Sequence, residues 1–222
     1  MGHWIKLKAG DGFELSAWRA EPKSAPRGGV VVVQEIFGVN AHIRSVAEGY
    51  AAEGYLAIAP AIFDRAERDV DLAAVPESFA RGAGLAGKIP REAMLLDVGA
   101  AVEAAKGAGK VGVVGYCLGG TVAWLAAARV QGLSAAVGYY GGGVIGLKEL
   151  KPLVPTMLHF GEKDDHIPQA GVREIAAAHP DVPIFLYPAG HAFNRDGGAS
   201  YDAPSAALAK SRTLEFFARR LA

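Results

Sequence analysis

Residues 111–128 read VGVVGYCLGGTVAWLAAA, an uncharged stretch that just reaches the length of a membrane helix. A GxxxG spacing, Gly115 to Gly119, would suit such a helix. Four glycines crowd its first half, however, and each costs about 1 kcal/mol relative to alanine in a helix interior. β-Branched residues precede them and alanines follow. The stretch therefore reads as a buried strand, a tight turn and a helix, and nothing else in the chain resembles a membrane span.

The same strand-to-helix unit recurs along the chain. Two alternating stretches, 4–8 and 13–18, flank Ala9-Gly10-Asp11-Gly12 and predict an antiparallel edge hairpin. The unbroken valines at 30–33 predict a strand buried on both faces, which belongs in a parallel sheet. Asn40 can cap a helix running to about Glu53. Further strands are expected at 56–59, 110–114, 134–140, 155–160 and 182–187, with helices at 90–106, 118–130, 169–178 and 204–221. This alternation predicts an α/β fold with a mostly parallel central sheet and helices on both faces. Ligands in such sheets bind at the carboxyl ends of the strands. Residues 65–87 have weak periodicity and several charges, and are expected to be a loop or lid over that edge, or else a plain solvated connection. A length of 222 residues fits one domain, 1–222.

Charge and cysteine content narrow the partners. Lys and Arg total 23, balanced by 23 Asp and Glu. No basic excess exists to neutralise phosphates, so neither nucleic acid nor a membrane surface is an expected partner. One cysteine cannot make an internal disulfide, and the first residues lack a basic region followed by an apolar run; the expected compartment is the cytoplasm.

That cysteine stands in Gly115-Tyr116-Cys117-Leu118-Gly119, a Gly-x-nucleophile-x-Gly elbow between strand and helix. Strand and helix backbones approach closely in such a turn, so its flanking positions must be small. The helix N-terminus behind Cys117 favours a thiolate. The alternative is a small buried hydrophobe, the usual fate of a lone cysteine. A nucleophile at an elbow is followed in sequence by an acid and then a histidine. Asp164 closes a Gly-x-x-Asp pattern after a strand, with Asp165 as its neighbouring rival. His191, in a glycine-preceded loop before the closing helix, is the best-placed base among six histidines, with His166 its rival. A metal site from His159, Asp164 and His166 lacks a ligand pair at regular spacing, so neither a metal nor a cofactor is expected.

On these motifs the chain resembles the dienelactone hydrolases, a cysteine-using branch of the α/β-hydrolase fold. The resemblance lies in Gln34-Glu35-Ile36-Phe37-Gly38-Val39-Asn40, in GVVGYCLGG at 112–120, in VGYYG at 137–141, and in Gly190-His191-Ala192-Phe193 with Arg195 following. It implies a triad of Cys117, Asp164 and His191, with the backbone amides of Ile36 and Leu118 as oxyanion donors. It also implies that Glu35 takes the cysteine's proton when substrate enters, having been held beforehand by Arg195. Arg195 is also implied to grip a substrate carboxylate, and a second arginine for that carboxylate falls where the chains align poorly, with Arg81 as the candidate. The chain departs from the family pattern at Ala61-Ile62, where an acidic residue is usual, and over 65–87.

The reaction this implies is hydrolysis of a small anionic lactone or ester through a Cys117 acyl-enzyme, carboxymethylenebutenolide to maleylacetate being the family's own case. The rivals are a carboxylesterase or thioesterase acting on another small substrate, and a non-catalytic binder that keeps the fold. A monomer or small homo-oligomer is expected.

Overall fold

All five residues of β3 (Gly29–Val33) are buried, and their side chains alternate between two cores. Val30 and Val32 share one core with Ile43 and Tyr50 of α1 (Ala41–Ala52) and Phe217 of α6 (Ala203–Leu221). Val31 and Val33 share the other with Val98 of α3 (Arg91–Ala105) and Leu125 of α4 (Leu118–Arg129). A strand covered on both faces has no polar side, which is why its sequence is an uninterrupted apolar run. The computed structural model describes residues 2–222, so Met1, the first residue of the expected 1–222 domain, lies outside the described residues.

The remaining strands are β1 (His3–Lys8), β2 (Glu14–Ala20), β4 (Leu56–Pro60), β5 (Val111–Tyr116), β6 (Leu133–Tyr139), β7 (Thr156–Gly161) and β8 (Ile184–Tyr187). They form one eight-stranded sheet in the order β1-β2-β4-β3-β5-β6-β7-β8. β2 runs antiparallel to both β1 and β4, and every other neighbouring pair is parallel. The expected edge hairpin and mostly parallel sheet are both present. Residues 111–128 are β5, the turn at Cys117 and α4; among the described residues no helix is long and apolar enough to cross a membrane.

Local chemistry sets the element ends. Asn40 Oδ1 accepts the Ile43 N–H at 3.1 Å and starts α1, as its position in the sequence predicted. β8 begins two residues later than the expected 182. Pro183 has no N–H to give a ladder, and the Val182 N–H turns back to the His179 carbonyl.

Residues 65–87 differ from the expected loop. They hold a helix, α2 (Pro76–Gly87), with Pro at its first turn. Leu85 and Gly82 are its buried residues, and Gly82 lies so close to Ile36 that a β-carbon there would overlap the Ile36 carbonyl oxygen. Ahead of α2, Arg65 is anchored by two carboxylates. Its Nε and Nη2 donate to the fully buried Asp97 at 2.8–3.0 Å, while Nη1 donates to Asp11 at 2.8 Å. This fork ties the segment leaving β4 to α3 and to the first hairpin.

Candidate active site

Glu35, Cys117, Asp164 and His191 each follow a strand, β3, β5, β7 and β8 respectively, so the sheet collects them at its carboxyl edge. At the elbow Cys117 has φ 54° and ψ −114°, a left-handed conformation that lifts its side chain off the sheet. The glycines around it are obligatory. A β-carbon at Gly115 would run into the Gly119 carbonyl, one at Gly119 into the Val33 carbonyl, and one at Gly120 into the Tyr139 carbonyl. The strained turn is held by the Cys117 N–H, which donates to the Tyr139 carbonyl at 3.0 Å.

His191 Nε2 lies 3.3 Å from Cys117 Sγ, and Nδ1 lies 2.7 Å from Asp164 Oδ2. Asp164, and not the exposed Asp165, therefore faces the imidazole. Its other oxygen accepts the His166 N–H at 2.9 Å, which fixes the carboxylate plane. Ala192, at φ 59°, turns the chain immediately after the histidine and sends Phe193 into the core. Burial works against an imidazolium at His191, but the hydrogen bonds and charges of Asp164 and Cys117 outweigh it and carry its pKa up to about 10. The arrangement thus favours a protonated imidazole beside the sulfur.

Leu118 is the first residue of α4, where an N–H has no intrahelical acceptor, and Ile36 lies in the turn after β3. Both line the same cavity as Cys117 and His191.

Glu35 is 1% exposed, and neither of its oxygens accepts a hydrogen bond within the protein. Its nearest cation is Arg195, Nε to Oε2 3.7 Å, whose guanidinium also lies over the Phe37 ring at 5.2 Å. Burial raises the Glu35 pKa, and the charges of Arg195 and His191 only oppose that rise. The two residues that the family resemblance couples are neighbours, in a loose pair.

The cavity over Cys117 measures about 740 Å³. Phe79 of α2, Ile89, Met94 of α3 and Leu125 of α4 give it apolar walls, and His166 and Tyr140 stand beside the imidazole. Tyr140 was not singled out by the sequence. It has φ 38°, its ring meets His191 edge-on at 5.1 Å, and its buried hydroxyl has no partner within the protein. Just past β6, its N–H donates to the His159 carbonyl of the neighbouring parallel strand β7 at 2.7 Å, a tertiary contact that leaves no signal in the sequence.

The arginines are placed otherwise than expected. Arg81 is 56% exposed, pairs with Glu67 on the outside of α2, and does not line the cavity. Arg195 is spent on Glu35 and Phe37 and does not line it either. Arg91, at the start of α3, does. The suggested metal trio is dispersed as well: both ring nitrogens of the buried His159 are taken, by the Tyr187 hydroxyl and by Thr213 Oγ1.

Comparison with known proteins fits this geometry. The profile of the dienelactone hydrolase family matches residues 15–221. A "Putative carboxymethylenebutenolidase" of Escherichia coli (strain K12) is 38% identical, the match covering 93% of this chain and 83% of the relative. A carboxymethylenebutenolidase of Pseudomonas putida is 36% identical, covering 96% and 95%. Among solved structures, a "Putative Dienelactone Hydrolase" from Klebsiella pneumoniae superposes with a TM-score of 0.85 at 34% identity, covering 97% of this chain and 99% of that one.

Proposed function

The chain belongs to the dienelactone hydrolase family, and we propose that it hydrolyses a small lactone or ester through a thioester on Cys117. The Cys117 thiolate attacks the carbonyl carbon, and the carbonyl oxygen takes the negative charge between the amides of Ile36 and Leu118. As the tetrahedral intermediate collapses, the carbon–oxygen ester bond breaks and the leaving oxygen takes the proton from His191 Nε2. For a lactone, that hydroxyl stays attached to the acyl group. A water then gives its proton to His191 and adds to the thioester; the thiolate departs and a carboxylic acid is released.

Asp164 keeps the Nδ1 proton directed toward itself, so Nε2 faces the sulfur throughout. Glu35 and Arg195 govern the resting proton of the thiol. A bare carboxylate beside a thiolate would oppose its charge, which is why Glu35 is held by Arg195 until substrate enters and it takes the proton of the thiol. Carboxymethylenebutenolide, opened to maleylacetate, is the substrate we put first. We place the activity in one domain, 1–222, working in the cytoplasm without a cofactor.

The observation that carries this reading is the continuous contact from Cys117 through His191 to Asp164. Intact-mass measurement during turnover of an activated ester is the test. The wild-type protein should gain the acyl mass, and Cys117→Ala should lose both the adduct and steady-state hydrolysis; hydrolysis that survives the substitution overturns the reading.

A further inference from the structure

We propose that the protein has a second binding site, separate from the Cys117 cavity, for a small uncharged molecule that carries a hydrogen-bond-accepting oxygen on an apolar body. The site stands independently of the hydrolytic reading of Cys117.

It is a cavity of about 330 Å³ walled by α1, the start of α6 and the segment 194–201. No residue lines both this cavity and the one over the thiol. The two are nevertheless adjacent along the chain. Tyr116 and Tyr139 line the second cavity, and the residues that follow them, Cys117 and Tyr140, line the first.

Two unmet hydrogen-bonding groups point to a ligand. Tyr50 and Tyr116, 4% and 2% exposed, bring their hydroxyls within 3.2 Å of each other, and both line the cavity. Each hydroxyl has one proton to give, and only one of the two can lie between the oxygens. The other has no acceptor among the described residues, a costly state for a buried donor. His42 of α1 lines the same cavity, and its Nε2 is likewise buried without a partner. Burial holds the His42 pKa down to about 4, so the imidazole is neutral at pH 7.

The remaining wall favours an uncharged occupant. Lys210 is paired with Glu53 at 3.3 Å, and Asp196 is exposed to solvent. An ion entering would give up hydration without gaining a free, buried counter-charge. Val46, Ala206 and the tyrosine rings supply apolar surface. The volume lies at the lower end of the roughly 300–1,000 Å³ typical of ligand sites, which suits a molecule of about one ring.

Three ring compounds test the assignment. Cyclohexanone supplies ring and oxygen, methylenecyclohexane the same shape without the oxygen, and cyclohexanecarboxylate a charge. Each is titrated, with protein NMR signals as the readout, into wild type, Ala207→Phe and Val46→Phe, which fill the cavity from α6 and from α1 and are checked for folding by thermal melts. Cyclohexanone should saturate the wild type with shifts centred on Tyr50, Tyr116 and His42. It should bind roughly tenfold more tightly than methylenecyclohexane, the weight of one buried hydrogen bond, and more tightly than the carboxylate by at least about the same factor. Both folded variants should lose the saturation. A ketone that does not saturate, that binds no better than methylenecyclohexane, or that binds unchanged in either variant overturns the proposal. So does competitive inhibition of ester hydrolysis, which would put the ketone at the thiol. Because the titration needs no turnover, failure of the Cys117 mechanism would leave its result intact.

Discussion

Gly82 of α2 sits directly against the carbonyl oxygen of Ile36, with no room for a β-carbon between them. That contact joins the helix that the sequence hid to the residue whose amide is the candidate oxyanion donor. Gly82→Ala must displace either α2 or the 35–37 turn. A shift of about 1 Å in a reacting group can cost on the order of a hundredfold in rate. We therefore expect kcat to fall by roughly that factor while KM changes little, as read from steady-state kinetics beside a thermal melt. An unchanged kcat would show that the Ile36 amide tolerates the movement or takes no part.

His191 gives a pH dependence with a definite sign. Its folded pKa, about 10, lies above the ordinary histidine value of 6.5, so the imidazolium is retained through neutral pH and is lost only as pH rises through about 10. The stability it contributes is complete below pH 6.5 and disappears over the same rise. For an unactivated alkyl ester, whose leaving oxygen needs a proton, single-turnover acylation should fall about tenfold per pH unit above pH 10. Asp164→Asn removes the group that holds the charged form. Its imidazole titration, followed by NMR, should move down toward the ordinary value, and acylation should lose at least roughly a hundredfold.

Glu35 has the opposite effect on stability. Burial raises its pKa, so the folded chain holds the carboxyl proton more tightly than the unfolded chain does. Stability is therefore lost as pH climbs from the ordinary value near 4.5 through the raised one. Glu35→Gln removes that penalty, and since Arg195 is 3.7 Å away without a hydrogen bond, little attraction is forfeited. We expect the variant to be more stable at pH 8 by about 1–3 kcal/mol, since the amide, though equally unpaired, carries no buried charge. That is a rise in Tm of about 2–4 °C for each kcal/mol in a chain of this size. The advantage should vanish near pH 4. A variant that melts below wild type at pH 8 would show the Arg195 pair to be net stabilising.

The fork of Arg65 should matter to folding and not to chemistry. Arg65→Met leaves Asp97 buried and without its cation, a loss of about 3–5 kcal/mol in comparable pairs. The urea midpoint should drop accordingly, while kcat per folded molecule stays at the wild-type level. A midpoint unmoved by the change would mean that Asp97 takes up a proton or water at little cost.

The sheet and the thiol were legible because their signals are local. An apolar valine run, an asparagine cap and a glycine-bracketed cysteine each depend on neighbours within a few residues, and β3, α1 and the elbow lie where those neighbours predict. α2 was not legible. Its glycines and serine weaken the helical pattern, and the reason for Gly82 is a contact with Ile36, which is distant in sequence. The arginines divide the same way. Arg195 was implied by the family resemblance, but only tertiary structure shows Arg81 drawn off to Glu67 and Arg91 among the residues lining the cavity. Tyr140 was hidden for a third reason, since its positive φ is imposed by strands on either side.

Cys117 and His191 are separated by 74 residues, and α6 comes later still, bringing Phe217 and Leu221 against Gly112 of the strand that leads to the thiol. Synthesis runs from the N-terminus, so a growing chain presents its sulfur well before the imidazole and carboxylate exist. Until the last third has been translated and docked, the elbow lacks the imidazole and carboxylate that face its sulfur. On the proposed mechanism the molecule is therefore inactive throughout its own synthesis, and turnover on a simple ester would report that the last third of the chain has docked.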